Sequence, residues 1–305
     1  MGVWHVRVTV PASTANLGPG FDCLALALGL YNTVEMTALD HSRFEMEIED
    51  EGAQRLRRDP GNLIIRAADT LWKKIGQKPA GLKVKAVNGI PLGSGLGSSA
   101  AAAVSGLVAA NALCGEPLSK VELLRLAHEI EGHPDNAAAA LFGGLTMVSA
   151  ADDDLLVDTL IMPPCSVAIA LPDVRLSTRQ ARAALPTRVP LRDAAFNIGR
   201  TLFVAQALQA GDYDLLRRAM DDRLHEPYRR RLIPGSDAAI QAAREGGAAA
   251  VALSGAGPGI AAFAPDRHAE IAGAMKSAFE ARGTACRTLV LPVDRRGVSI
   301  DTPDK

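Results

Sequence analysis

The chain opens on an alternation. Val6, Val8 and Val10 face one way and Arg7 and Thr9 the other, the period of a half-buried strand, and Pro11 reads as its end. A loop rich in turn formers follows over 12–22. Two more strands are predicted at about 29–38 and 44–49, where Phe44, Met46 and Ile48 alternate with Glu45, Glu47 and Glu49. Leu63, Ala67 and Leu71 then share one stripe and predict a helix over 62–75. Leu82, Val84 and Ala86 alternate with Lys83 and Lys85 as a strand. A glycine-rich loop over 91–97 leads into an alanine-rich helix over 98–113. Ser119 and Glu122 form a capping box for a helix over 119–131, and short strands follow near 145–148 and 155–162.

Pro163-Pro164 is the clearest break, and it divides the chain into domains 1–163 and 164–305. The second half reads as a strand over 166–171 and helices over 178–184, 193–210, 213–223 and 236–246. A strand, turn and strand over 251–264, a helix over 267–282 and a strand over 285–291 complete it. The polar tail over 294–305 is expected to fray. Both halves are mixed, so the fold class is α+β and not the steady βαβα order of a doubly wound sheet.

Composition narrows the function. Lys plus Arg is 33 and Asp plus Glu is 34, a net charge of -1, without the basic excess of a nucleic-acid or anionic-membrane binder. Apolar runs fall short of the roughly 20 residues that span a bilayer. Cys23, Cys114, Cys165 and Cys286 are scattered with no C-x-x-C pair, which reads as four buried free thiols in a reducing compartment. No signal peptide is read at the N-terminus, and a cytoplasmic protein is expected. The expected assembly is a homodimer, with no nucleic-acid or membrane partner.

Chemistry concentrates in three segments. In Pro91-Leu92-Gly93-Ser94-Gly95-Leu96-Gly97-Ser98-Ser99, alternate glycines let backbone N–H groups turn toward a ligand, and the following helix start favours an anion. This is a phosphate cradle, or else a flexible turn before a capped buried helix; it lacks the Gly-Lys-Ser/Thr ending of a P-loop. A second cluster, Ser254-Gly255-Ala256-Gly257-Pro258-Gly259, could hold phosphate or form a plain hairpin. In the third segment His128 and His133 are five apart, about 140° around a helix, so they do not form the paired face of a zinc protease. Glu131, at the helix end, and Asp135, just past it, suit Mg²⁺ binding and alignment of an attacking hydroxyl, or mark a solvated terminus. Basic residues cluster at Arg175, Arg179 and Arg182 and at Arg229-Arg230-Arg231, either a solvated face or an anion clamp.

These segments resemble the three signatures of the GHMP kinases. The stretch Val10-Pro11-Ala12-Ser13-Thr14-Ala15-Asn16-Leu17-Gly18-Pro19-Gly20-Phe21-Asp22 is similar to the first signature, residues 91–101 to the second and 254–259 to the third, in the same order. The Asn-Leu-Gly-Pro-Gly-Phe-Asp form, Glu131-Gly132-His133-Pro134-Asp135-Asn136 and Glu226-Pro227-Tyr228-Arg229 resemble the homoserine kinase branch. The resemblance implies a ribosomal S5 domain 2-like first domain, a ferredoxin-like second domain, and a site between them. It implies ATP and Mg²⁺, with L-homoserine phosphorylated to O-phospho-L-homoserine on the route to threonine. By the same resemblance Gly93, Gly95, Gly97 and Ser98 hold the triphosphate, with Gly255 and Gly257 from the third signature, and Asn62 lies near the adenine. Ser99 and Glu131 match metal ligands, and Asn16, Asp22, Asp135, Arg182 and Arg229 match positions that hold the amino acid.

Overall fold

The computed structural model describes residues 4–151 and 154–301. The first layer is built on two long antiparallel strands, β1 (His5–Ala15) and β2 (Leu24–Leu39). Val6, Val8 and Val10 are buried as their alternation requires, but Pro11 does not end the strand. The register with β2 slips between Pro11 and Ala12 and β1 continues to Ala15. Proline cannot donate to a ladder, and a bulge is one of the few places within a sheet that accepts it.

β3 (Phe44–Asp50) pairs parallel with β4 (Gly81–Asn88), and β4 pairs with the far half of β2. The near end of β2 pairs with β5 (Leu145–Ala151), which pairs with β6 (Asp154–Leu160). Against this sheet lie α1 (Leu63–Ile75), capped by the Asn62 side chain, and α2 (Ser98–Leu113), buried on nearly every side. A Cβ on Gly106 would lie 2.0 Å from the Ile64 carbonyl oxygen, so glycine lets α1 and α2 touch backbone to backbone. The capping box starts α3 (Lys120–Glu131), and Gly132 ends it in the left-handed conformation. Asp135 lies just past the end of α3, as expected, and there begins a further helix that was not expected, α4 (Asp135–Phe142). Pro134 stands at its N-cap without a side-chain hydrogen bond, and its alanine run is buried all round, so no apolar stripe announced it.

The second layer is an antiparallel sheet of β7 (Ser166–Pro172), β8 (Ala250–Leu253), β9 (Ile260–Phe263) and β10 (Cys286–Pro292), in the order β10-β7-β9-β8. α5 (Thr178–Ala183), α6 (Leu191–Ala210) and α7 (Tyr213–Ala219) lie between β7 and β8 in the chain. The helix expected over 213–223 stops at Ala219, because the Asp222 carboxylate accepts the N–H groups of Leu224, His225 and Glu226 and turns the chain into α8 (Glu226–Arg229). α9 (Ser236–Glu245) and α10 (His268–Glu280) cover the sheet through Ala239, Ile240, Ile271, Met275 and Phe279. Both halves are α+β, as expected.

The tail does not fray over its described part. Asp294 accepts from the N–H groups of Arg296 and Gly297, and β11 (Ser299–Asp301) pairs with β1 in the first sheet; residues 302–305 lie outside the described residues. The cysteines are free, but of the four expected to be buried only Cys286 is; Cys114 and Cys165 are partly buried, and Cys23, which follows the first loop, is exposed. Among the described residues no helix is long and apolar enough to cross a membrane.

Candidate active site

The cradle is held from three sides. Gly93, Gly95 and Gly97 all have positive φ, at 64°, 81° and 70°. Gly97 is the N-cap of α2, and no side chain caps that helix, so its first amides remain for a ligand. A Cβ on Gly97 would lie 2.2 Å from Ser13 Oγ and 3.0 Å from Asn136 Oδ1, two atoms joined by a 2.9 Å hydrogen bond. The extension of β1 past Pro11 and the unexpected α4 therefore both shape the loop. The second layer supplies the third side. Ser254 Oγ donates to the Gly95 carbonyl at 2.8 Å, Gly259 N–H donates to the Ser94 carbonyl at 3.1 Å, and Gly255 N–H donates to the Ala15 carbonyl at 3.1 Å. Asn16 Nδ2 donates to the Gly255 carbonyl at 2.7 Å.

In front of the cradle is a cavity of about 210 Å³. It brings together Asn16, Asp22, Gly93, Ser94, Gly95, Gly97, Ser98, Ser99, Glu131, Asp135, Arg182, Arg229, Gly255 and Gly257 from among the expected site residues. Asn62 and Leu92 do not line it. They line a neighbouring, mostly apolar cavity of about 200 Å³ with Ile48, Leu56, Ile64 and Ala102, which meets the first along Gly93, Ser98 and Ser99. Pro91 and Leu92 border a third cavity behind the loop, while Leu96 is wholly buried and its N–H donates to Ser94 Oγ.

The charged side chains fall into two groups. Near the cradle, Ser99 Oγ donates to Glu131 Oε1 at 2.8 Å, joining the start of α2 to the end of α3. A hydroxyl beside a single carboxylate, both on the cavity, fits a divalent cation that takes most of its remaining ligands from phosphate and water. Among the described residues there is no cluster of three or more acidic, histidine or cysteine side chains that would cage a metal by itself. Asp135 lies deeper and is only 2% exposed. Its Oδ1 accepts from Asn136 N–H and His133 Nδ1, both at 2.7 Å, which leaves Oδ2 for a ligand. Burial opposes the charge on both partners, but their mutual contact outweighs it: His133 is raised above its ordinary value and Asp135 is held below the usual carboxylate range.

At the far end Arg182 donates both terminal nitrogens to Asp22, at 3.0 and 2.7 Å. The first loop is strained to present that carboxylate, for Asn16, Leu17 and Asp22 all have positive φ without being glycine. Asn16 Oδ1 holds the turn by accepting from Asp22 N–H at 3.0 Å. Arg229 is 1% exposed and its Nε has no partner. A buried unsatisfied guanidinium nitrogen on an anion-sized cavity marks a place for a ligand oxygen.

Sequence reasoning missed the groups behind the cavity wall, namely Phe21, His225, Asp222 and Asn197. They are single polar or aromatic residues whose role depends on where α6 and α8 come to rest. Glu226 is a further case. It is buried, its Oε1 accepts from Leu253 N–H at 2.7 Å just before the second glycine cluster, and burial pushes its carboxyl up to about 7 against that hydrogen bond. A raised acid favours the fold fully below its unfolded value of 4.5, and that contribution is lost as pH rises through about 7, a swing of roughly 3 kcal/mol at this group. Glu226→Gln keeps the acceptor without the charge. It should melt close to the parent protein at about pH 4.5 and several degrees above it at about pH 8; equal melting at both would show that the carboxyl sits at an ordinary value.

A glycine cradle on an open helix start, a serine–carboxylate pair beside it and a buried aspartate facing two guanidiniums define a small-molecule phosphotransferase. The comparisons agree. Residues 62–144 match the GHMP kinases N terminal domain and residues 204–281 the GHMP kinases C terminal domain. The homoserine kinase of Synechococcus sp. (strain CC9605) is 46% identical over 297 residues, covering 96% of this chain and 94% of that protein. That of Moorella thermoacetica is 45% identical over 280 residues, 92% of this chain and 94% of that protein. The crystal structure of homoserine kinase from Cytophaga hutchinsonii superposes with a TM-score of 0.87 at 31% identity, covering 97% of both chains. The chain belongs to the GHMP kinases and, among them, to the homoserine kinase family. Its two layers are the S5-like and ferredoxin-like parts that the sequence signatures implied.

Proposed function

We propose that this protein transfers the γ-phosphoryl group of ATP to the hydroxyl of L-homoserine, giving O-phospho-L-homoserine. The carrying observation is one cavity with a phosphate cradle at one end and a matched acid and pair of arginines at the other. Homoserine is a zwitterion with a primary hydroxyl. Asp22 takes its ammonium, and the guanidiniums of Arg182 and Arg229 take its carboxylate, for which a planar fork is suited. In the free protein Asp22 and Arg182 satisfy one another, so the substrate exchanges one internal ion pair for two external ones. Asp135 Oδ2 receives the hydroxyl, either accepting its proton or orienting it toward the phosphorus. The loop amides hold the triphosphate, and the apolar cavity beside Asn62 takes the adenine.

Ser99 and Glu131 would hold Mg²⁺, which when bound neutralises charge on the transferring phosphate. The product serves threonine synthesis in the cytoplasm. The proposed assembly is a homodimer. On α6, Leu191, Ala195, Ile198 and Leu202 form an exposed stripe with the 4-3-4 spacing that suits packing of a helix against its own copy, and sedimentation of the intact chain checks it.

A coupled ADP-release assay tests the activity. ADP should appear with MgATP only when L-homoserine is present, and not with mevalonate. Folded protein that binds ATP yet forms no phosphohomoserine would overturn the reading.

A further inference from the structure

We infer that His225, fixed as its Nε2–H tautomer, is a positioning residue that sets the Arg229 guanidinium for the substrate carboxylate. The inference rests on the proposed role of Arg229. His225 does not line the cavity, so it acts through its neighbour. Its side chain is fully buried, and Nε2 lies 2.7 Å from the Gly18 carbonyl oxygen. A carbonyl can only accept, so Nε2 carries the hydrogen. In the neutral ring Nδ1 is then a lone pair, and it faces Arg229 Nη1 at 3.3 Å, a group that can only donate. One tautomer satisfies both contacts. An imidazolium would direct an N–H at an N–H and place two cations together.

The surroundings hold the ring neutral. Asp222 Oδ2 is 3.8 Å from Nε2, but this carboxylate already accepts from the N–H groups of Leu224, His225 and Glu226 and from Asn197 Nδ2. Burial and the charge of Arg229 lower the imidazole below its ordinary value despite Asp222 and Asp22. The ring also stacks on Phe21, with centroids 5.1 Å apart. The Phe21 ring in turn lies 5.1 Å from the Arg229 guanidinium carbon and 5.6 Å from that of Arg182. Otherwise Arg229 has only a long 3.4 Å contact from Nη1 to the Gly255 carbonyl and an unpartnered Nε. The lone pair of His225 and the face of Phe21 are therefore what aim this guanidinium.

Two substitutions separate this role from simple anchoring of the first loop. His225→Asn keeps an acceptor near Nδ1 and loses the donor to Gly18. His225→Gln keeps a donor near Nε2 and loses the acceptor for Arg229. The homoserine KM should rise roughly tenfold in the Gln variant and less than about threefold in the Asn variant, with ATP KM unchanged in both. The Gln variant should also discriminate less between homoserine and 3-amino-1-propanol, which lacks the carboxylate. The reverse order, equal losses, or no loss in either variant would overturn the inference. Arg229→Ala serves as the control. If it raises the homoserine KM while His225→Gln does not, only the positioning role falls; if it leaves that KM unchanged, the carboxylate clamp falls first.

Discussion

Gly95→Ala should damage the ligand-free protein and its nucleotide site together. The new Cβ would lie 2.3 Å from the Ser254 carbonyl oxygen and 3.1 Å from that of Gly257, both backbone atoms that cannot swing aside. Its φ of +81° adds the strain of a left-handed residue. Strain and overpacking together cost roughly 2–5 kcal/mol, a melting point lower by several degrees. Relief requires the loop to leave the second layer, so the ATP KM should rise at least about tenfold. Gly93→Ala is the contrast in the ligand-free protein. Nothing lies within 4 Å of its Cβ, and only the φ of +64° is unfavourable, so roughly 1 kcal/mol is expected. Equal melting of the two variants would mean that the cradle does not depend on its contact with Ser254.

Asp135→Asn should lower kcat by about a hundredfold or more while the ATP KM stays within about twofold. The amide keeps an acceptor but cannot hold the proton or the negative charge that the proposed role of Asp135 requires. It also removes the hydrogen bond and charge that raise the His133 imidazole, leaving burial and the Arg182 charge to lower it against Asp22. Because Asp135 is held below the usual carboxylate range, its stabilising charge is present above the ordinary aspartate value and is lost only as pH falls through the lower folded one. The parent enzyme should therefore show no loss of kcat from this group between about pH 5 and 7. Phosphoryl transfer needs little base strength, so a variant with nearly full turnover would remove even the orienting role.

The parts of the fold that could be read in advance are those governed by local rules. The bounds of α2 follow from Gly97 and the alanine run, α1 follows from Asn62 and its stripe, and α3 from the Ser119–Glu122 box. What escaped was decided by distant partners. β1 survives Pro11 because a register slip absorbs it, and residues 299–301 form a strand because β1 offers them an edge. α4 is hidden because a helix buried on all sides has no periodicity. The site divides in the same way. Glycines at alternate positions and carboxylates beside them announce a phosphate site by their types. The Asp22–Arg182 pair joins residues 160 apart in sequence, and the Phe21–His225 stack joins the first loop to α8, so neither leaves a local signal.

The seam between the cradle and the second glycine cluster also binds the fates of the two layers. Ser94 and Gly95 are tied to Ser254 and Gly259, Ala15 to Gly255, and β11 brings residues 299–301 back to the first sheet. Separating the layers would leave these backbone groups without partners at the moment their cover was removed. Unfolding should therefore proceed as one cooperative event across both sheets. A nucleotide that binds only the folded cradle then protects the β8–β9 hairpin of the second layer as firmly as the first layer's own loop, because neither can open without the other.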